Sequence, residues 1–109
     1  MADTFKVLAQ TIPAAITLTD SYTVPGATSA TISSFLACNQ GSVAANFRVS
    51  VAVAGAADAT KQYLYYDYSI PKKQTYAGTL GITLATTDVI RVYSDTGNVS
   101  FNIFGVEIT

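Results

Sequence analysis

Apolar and polar residues alternate along most of this chain. From Asn46 to Ala54, Phe47, Val49, Val51 and Val53 fall on one side, and Arg48, Ser50, Ala52 and Ala54 on the other. A period of two puts successive side chains on opposite faces of an extended strand. Tyr63 to Ile70 repeats the pattern. Leu64, Tyr66, Tyr68 and Ile70 share the face read as core, whereas Tyr63, Tyr65, Asp67 and Ser69 share the outward face. The last run reads Val99, Phe101, Ile103 and then Phe104, Val106, Ile108, a change of phase that predicts a bulge at Ile103-Phe104 relieved by Gly105.

Further strands are predicted over Phe5–Thr11, Ile16–Val24, Ala30–Asn39, Thr75–Leu84 and Val89–Ser94. Turn residues separate them: Pro13, Pro25-Gly26, Asn39-Gln40-Gly41, Gly55, Pro71-Lys72-Lys73 and Thr87-Asp88. Asp95-Thr96-Gly97-Asn98 lies between two alternating runs and predicts a tight hairpin. No segment carries helical periodicity; Ala54 to Lys61 has room for one helical turn at most. These runs predict one all-β domain over residues 1–109, an antiparallel β-sandwich, Ig-like or jelly-roll, of about eight short strands. Residues 1–13 form either its first strand or an arm. Phe5-Lys6-Val7-Leu8, set apart by Pro13 and Ala14-Ala15, is read as an arm or exchanged edge strand laid on a neighbour, with Phe5 and Val7 as contact residues.

Composition sharpens the picture. Half of the 109 residues are hydrophobic and only 12% are charged, against about 25% charged in an ordinary soluble domain. So few charges leave much of the surface apolar or hydroxylic, as expected where neighbours cover part of it. The net charge is −1, and Lys72-Lys73 is the sole adjacent basic pair, so no footprint for nucleic acid is present. Ser21 to Phe47 carries no charge, but its Ser, Thr, Asn, Gln, Gly and Pro content rules out a membrane span. Asp3 and Lys6 interrupt the N-terminus before any apolar run, which reads as no signal peptide and synthesis in the cytoplasm.

Catalytic chemistry finds no material. With no histidine and one cysteine, neither a hydrolytic triad nor a zinc site can be assembled. The seven acids are scattered over predicted turns and strand ends, and no calcium-loop pattern joins them. No enzyme, cofactor or metal is expected. Cys38, in the run Phe35-Leu36-Ala37-Cys38, is expected to be buried and inert. The unusual feature is the cluster Tyr63, Tyr65, Tyr66 and Tyr68. Tyrosine is enriched at interfaces, so the outward pair Tyr63 and Tyr65 are the candidates for a subunit seam.

The succession Tyr22-Thr23-Val24-Pro25, Ser33 to Asn39, Phe47 to Ala52, Tyr63-Leu64-Tyr65-Tyr66-Asp67, Leu80 to Leu84 and Asp88 to Tyr93 resembles a group of short virion structural proteins of tailed bacteriophages. The resemblance spans roughly Thr4 to Thr109 and brings no catalytic residues with it. It implies a virion subunit made in the host cytoplasm, most simply a capsid decoration or cement protein. Such a subunit forms homo-oligomers, trimers among them, and binds another virion protein such as the major capsid protein. Neck, collar, tail or fibre parts are the alternatives, and a receptor- or carbohydrate-binding module built on Tyr63 and Tyr65 is a third.

Overall fold

The computed structural model describes residues 2–109; Met1, the first residue of the expected arm, lies outside them. Among the described residues nine strands form: β1 (Asp3–Thr11), β2 (Thr19–Thr23), β3 (Ser29–Asn39), β4 (Ala45–Ala52), β5 (Tyr63–Ile70), β6 (Thr75–Gly78), β7 (Ile82–Leu84), β8 (Val89–Ser94) and β9 (Val99–Ile108). Sheet A has the order β1-β9-β3-β6, with β7 also beside β3; sheet B has the order β2-β8-β4-β5. All pairings are antiparallel. Counting β6 and β7 as one interrupted strand, this is the eight-stranded double-sheet order of a jelly roll.

The chain changes sheet at nearly every connection. Asp95–Asn98 therefore makes no hairpin: β8 belongs to sheet B and β9 to sheet A. Turn residues between two alternating runs mark a reversal of direction but not which sheet the chain enters. The expected strand Thr75–Leu84 is split, because Thr79-Leu80-Gly81 leaves the ladder between β6 and β7.

Phe47, Phe101, Ile32, Ile103, Val24, Val92 and Val99 are buried between the sheets. The gap bounded by Ile32, Phe35, Val49, Ile90 and Phe101 is about 10 Å³ and wholly apolar, so it stays dry. β4 keeps the expected phase to its end at Ala52, with Val51 packed against the core. Phe47 and Val49 are buried, but Val53 is exposed, and Ser50 and Ala52 are buried on the outer face. The segment 53–62, with 3-10 turns at Val53–Gly55 and Thr60–Gln62, lies over that face. Arg91 fixes it by donating to the Ala56 and Gly55 carbonyls, and Asp88 accepts the Ala54 N–H.

The expected bulge in β9 sits in its neighbours instead. β9 keeps one phase throughout, with Val99, Phe101, Ile103, Gly105 and Glu107 inward and Phe104, Val106 and Ile108 outward. β1 and β3 each add a residue here, Leu8 and Ser33, on either side of Gly105. A side chain at 105 has no room: a Cβ would collide with the Thr31 carbonyl oxygen and press on Ile32 Cα and Leu8 Cδ1 at 3.1 Å.

Residues 3–11 are not an arm. They form β1, paired with β9 over their length and extended by reciprocal backbone bonds between Ala2 and Thr109. Cys38 also departs from expectation: Phe35 and Ala37 point inward, so Leu36 and Cys38 face outward and are half-buried. An apolar run does not reveal which of its two faces is the core.

Tyrosine hydroxyls join the two sheets along both lateral sides. On one side Tyr22 Oη on β2 donates to Glu107 Oε2 on β9 at 2.6 Å, and Lys6 Nζ on β1 lies 2.8 Å from Glu107 Oε1. On the other, Tyr65 on β5 and Tyr76 on β6 share a hydrogen bond of 3.1 Å. The bonds from Lys6 and then Tyr22 hold the Glu107 carboxyl below its ordinary range. Burial first, and then the bond to Glu107, raises the Tyr22 phenol well above its usual value.

Gly105→Ala should lower unfolding stability by about 2 kcal/mol or more, read from the urea midpoint, because backbone atoms close the space. Glu107 has a lowered folded-state pKa, so its contribution is complete above the unfolded carboxylate pKa and is lost as pH falls through the folded value. Glu107→Gln should therefore cost about 1–2 kcal/mol at neutral pH. Urea titrations of the two proteins should converge as the pH falls below the ordinary carboxylate range.

Candidate interaction surfaces

The tyrosine cluster lies on β5, at the edge of sheet B. β5 carries register shifts against β4 between the partners of Phe47 and Val49 and again between those of Val49 and Ser50. Asp67 takes φ 53° at the first. Each shift offsets the alternation, so the face assignment read from sequence fails for half of the cluster. Tyr68 pairs with Phe47 and Tyr65 with Val49, which places both on the core side. Tyr63 pairs with Ser50 and points outward with Tyr66.

Tyr65, expected outward, is thus a core-side residue. Its ring centroid lies 5.3 Å from that of Phe35 and 5.6 Å from that of Phe47. Its phenol is pushed up to about 12, first by the bond to Tyr76 and then by burial. Tyr68 joins the same group, 4.7 Å from the Tyr76 ring, yet keeps 45% of its surface exposed because it lies on the sandwich edge. Tyr66, expected in the core, is 57% exposed.

The outer face of sheet B carries a stacked array. The Arg48 guanidinium lies 4.1 Å from the Tyr66 ring centroid and 4.3 Å from that of Tyr93. Arg48 Nε and Nη2 donate to the two Asp67 oxygens at 2.7 and 3.2 Å. Tyr63 meets Tyr66 edge to face at 5.1 Å, and burial, then a bond to Asp58, raises its phenol pKa. The cation and rings hold each other in fixed positions, giving a flat, rigid, amphipathic patch. Sequence periodicity placed Arg48 on the outward side but sent Tyr66 to the core and did not join either to Tyr93.

Where the sheets part beside β5 and β7, Tyr63, Leu64, Tyr65, Leu80, Gly81 and Ile82 border an open groove of about 490 Å³. Here the candidates Tyr63 and Tyr65 come together. The other two candidates lie on the far side of the molecule. Phe5 and Val7 stand on the outer face of sheet A, 82% and 48% exposed, beside the half-buried Phe104, Val106 and Ile108.

Among the described residues, no three His, Cys, Asp or Glu side chains gather to hold a metal ion. Two of the seven acids, Asp88 and Asp95, accept backbone N–H groups of Ala54, Ala85 and Asn46. Comparison with family models, curated proteins and solved structures finds no match.

The two tyrosine classes should separate in unfolding experiments. Tyr65→Ser removes an inward ring and the bond between the sheets and should cost about 2–4 kcal/mol. Tyr66→Ser removes an exposed ring and should cost less than about 1 kcal/mol. Equal losses for the two variants would contradict the placement of the β5 bulges.

Proposed function

We propose that this protein is a non-catalytic structural subunit of a bacteriophage virion, a decoration protein that stabilises the capsid shell. The observation that carries the reading is the exposed apolar surface. Phe5 and Val7 on sheet A and Tyr66 on sheet B are exposed on a chain with few charged residues. Water is a poor neighbour for such a surface, and burial against a shell protein removes it at a gain of about 25 cal/mol per Å². The likeness to short phage virion proteins and the jelly-roll order, a fold common in capsid proteins, support the same reading. Fold by itself does not assign function.

Decoration works by mass action: a subunit that binds the assembled shell and not its separated parts stabilises the shell in proportion to occupancy. The fold suits this role. Its two lateral sides are joined by Tyr22–Glu107 and Tyr65–Tyr76, so a subunit can bear load across the sandwich.

The groove beside Tyr63 and Tyr65 favours a second reading, a receptor- or carbohydrate-binding module. Its volume falls within the range of small-molecule sites. Aromatic walls suit sugar rings, whose C–H faces pack on them.

Quantitative mass spectrometry of purified particles decides between the positions. Hundreds of copies per virion are expected for a decoration protein, and heat resistance of the shell should fall when the protein is absent. A copy number matching a single ring would place it in the neck or tail. Absence from particles, with binding on a glycan array abolished by Tyr63→Ala, would transfer the assignment to the second reading.

A further inference from the structure

The four lateral edges of the sandwich are not alike. β2 is five residues long and shifts register between Asp20 and Tyr22. β5 carries two shifts and a left-handed residue at Asp67. The far edge of sheet A is broken into β6 and β7. Short, bulged or interrupted edges resist pairing with another chain. β1 has none of these protections from Asp3 to Val7. That stretch is regular, every residue in it is exposed, and no proline interrupts it. Its one cation, Lys6, turns inward to Glu107 and does not guard the edge.

The hydrogen-bond pattern shows what the edge offers. Ala2 and Thr109 exchange both backbone bonds, so in the antiparallel ladder Thr4–Glu107 and Lys6–Gly105 are the next pairs of that kind. Asp3, Phe5 and Val7 alternate with them and direct their N–H and C=O groups to the open side. These three positions are symmetric about Phe5. A strand of the same sequence, running antiparallel, places Phe5 opposite Phe5, Asp3 opposite Val7 and Val7 opposite Asp3. All six outward N–H groups then find carbonyls. The register sets no like charges opposite each other. Shifting it by one pair, with Phe5 opposite Val7, would set Lys6 against Lys6. It also stacks the 82%-exposed Phe5 rings on the outer face, beside Val7 and the Phe104–Val106–Ile108 row of each copy.

We infer that β1 is a self-association edge: two copies of this chain pair through Asp3–Val7 about a two-fold axis at Phe5, joining their A sheets into one. This pairing is a property of the chain alone and stands or falls separately from its place on a virion.

Sedimentation equilibrium of the full chain tests it. The wild type should show twice the monomer mass at high micromolar concentration, and Phe5→Lys should halve that mass with an unchanged circular dichroism spectrum. In a Cys38→Ser background, Phe5→Cys should oxidise to a covalent dimer, since residues exchanging both bonds across a ladder have Cα atoms about 5.5 Å apart, within disulfide reach. Lys6→Cys in the same background should not cross-link, because Thr4 of the other copy faces it. A monomeric wild type, a dimer that survives Phe5→Lys, or equal cross-linking at positions 5 and 6 would overturn the inference.

Discussion

Unpaired backbone at the strand edges is the constraint behind most irregularities of this molecule. Two sheets with four lateral strands present four rows of N–H and C=O groups that no neighbour within a sheet can meet. The shifts in β2 and β5 and the gap between β6 and β7 all fall on those outer strands. The interior strands β8 and β4 run in unbroken register with each other. Apolar burial holds the two sheets face to face, but it acts without direction. The tyrosine bonds at both sides supply direction, because Tyr22–Glu107 and Tyr65–Tyr76 each need a single relative placement of the sheets.

Period-two alternation made the strands legible. Phe47, Val49, Phe101 and Ile103 are buried as the alternation implied, and the sandwich class follows from them. Side-chain direction was much less legible. A bulge shifts every residue beyond it to the opposite face, and nothing in a Tyr-Tyr-Asp-Tyr string says where the extra residue falls. Tyr65 and Tyr66 therefore exchanged roles. In β9 the error had another source. Phe104, Val106 and Ile108 are apolar yet face outward, while Glu107 enters the interior with Lys6 and Tyr22 as partners. A rule that sends apolar residues inward must fail where outer apolar residues sit beside an internal ion pair. The choice between an arm and a first strand over residues 1–13 stayed open for lack of pairing information, since a strand paired with its own chain and one paired with a neighbour have the same alternation.

The two outer faces differ in kind. On sheet B the segment 53–62 covers Ser50, Ala52 and Val89, and the Arg48 stack and the Arg91–Asp20 pair lie on the same face. This face is rigid and mixed in polarity. On sheet A the row of Phe104, Val106 and Ile108 beside β1 is simply apolar. A subunit with unlike faces binds in one orientation, a property that a shell subunit and a glycan-binding module would both need.

The gap at Thr79-Leu80-Gly81 carries a consequence for size. Where both lateral edges of a sheet accept strands, copies can follow one another without end, and a chain rich in Val, Ile and Tyr drifts toward fibrils. Here the edge opposite β1 offers four residues, a gap and then three, all paired inward to β3. No straight strand can lie along it. A break that looks like a defect in one long strand therefore acts as a terminator: it denies a further strand a continuous ladder on that side.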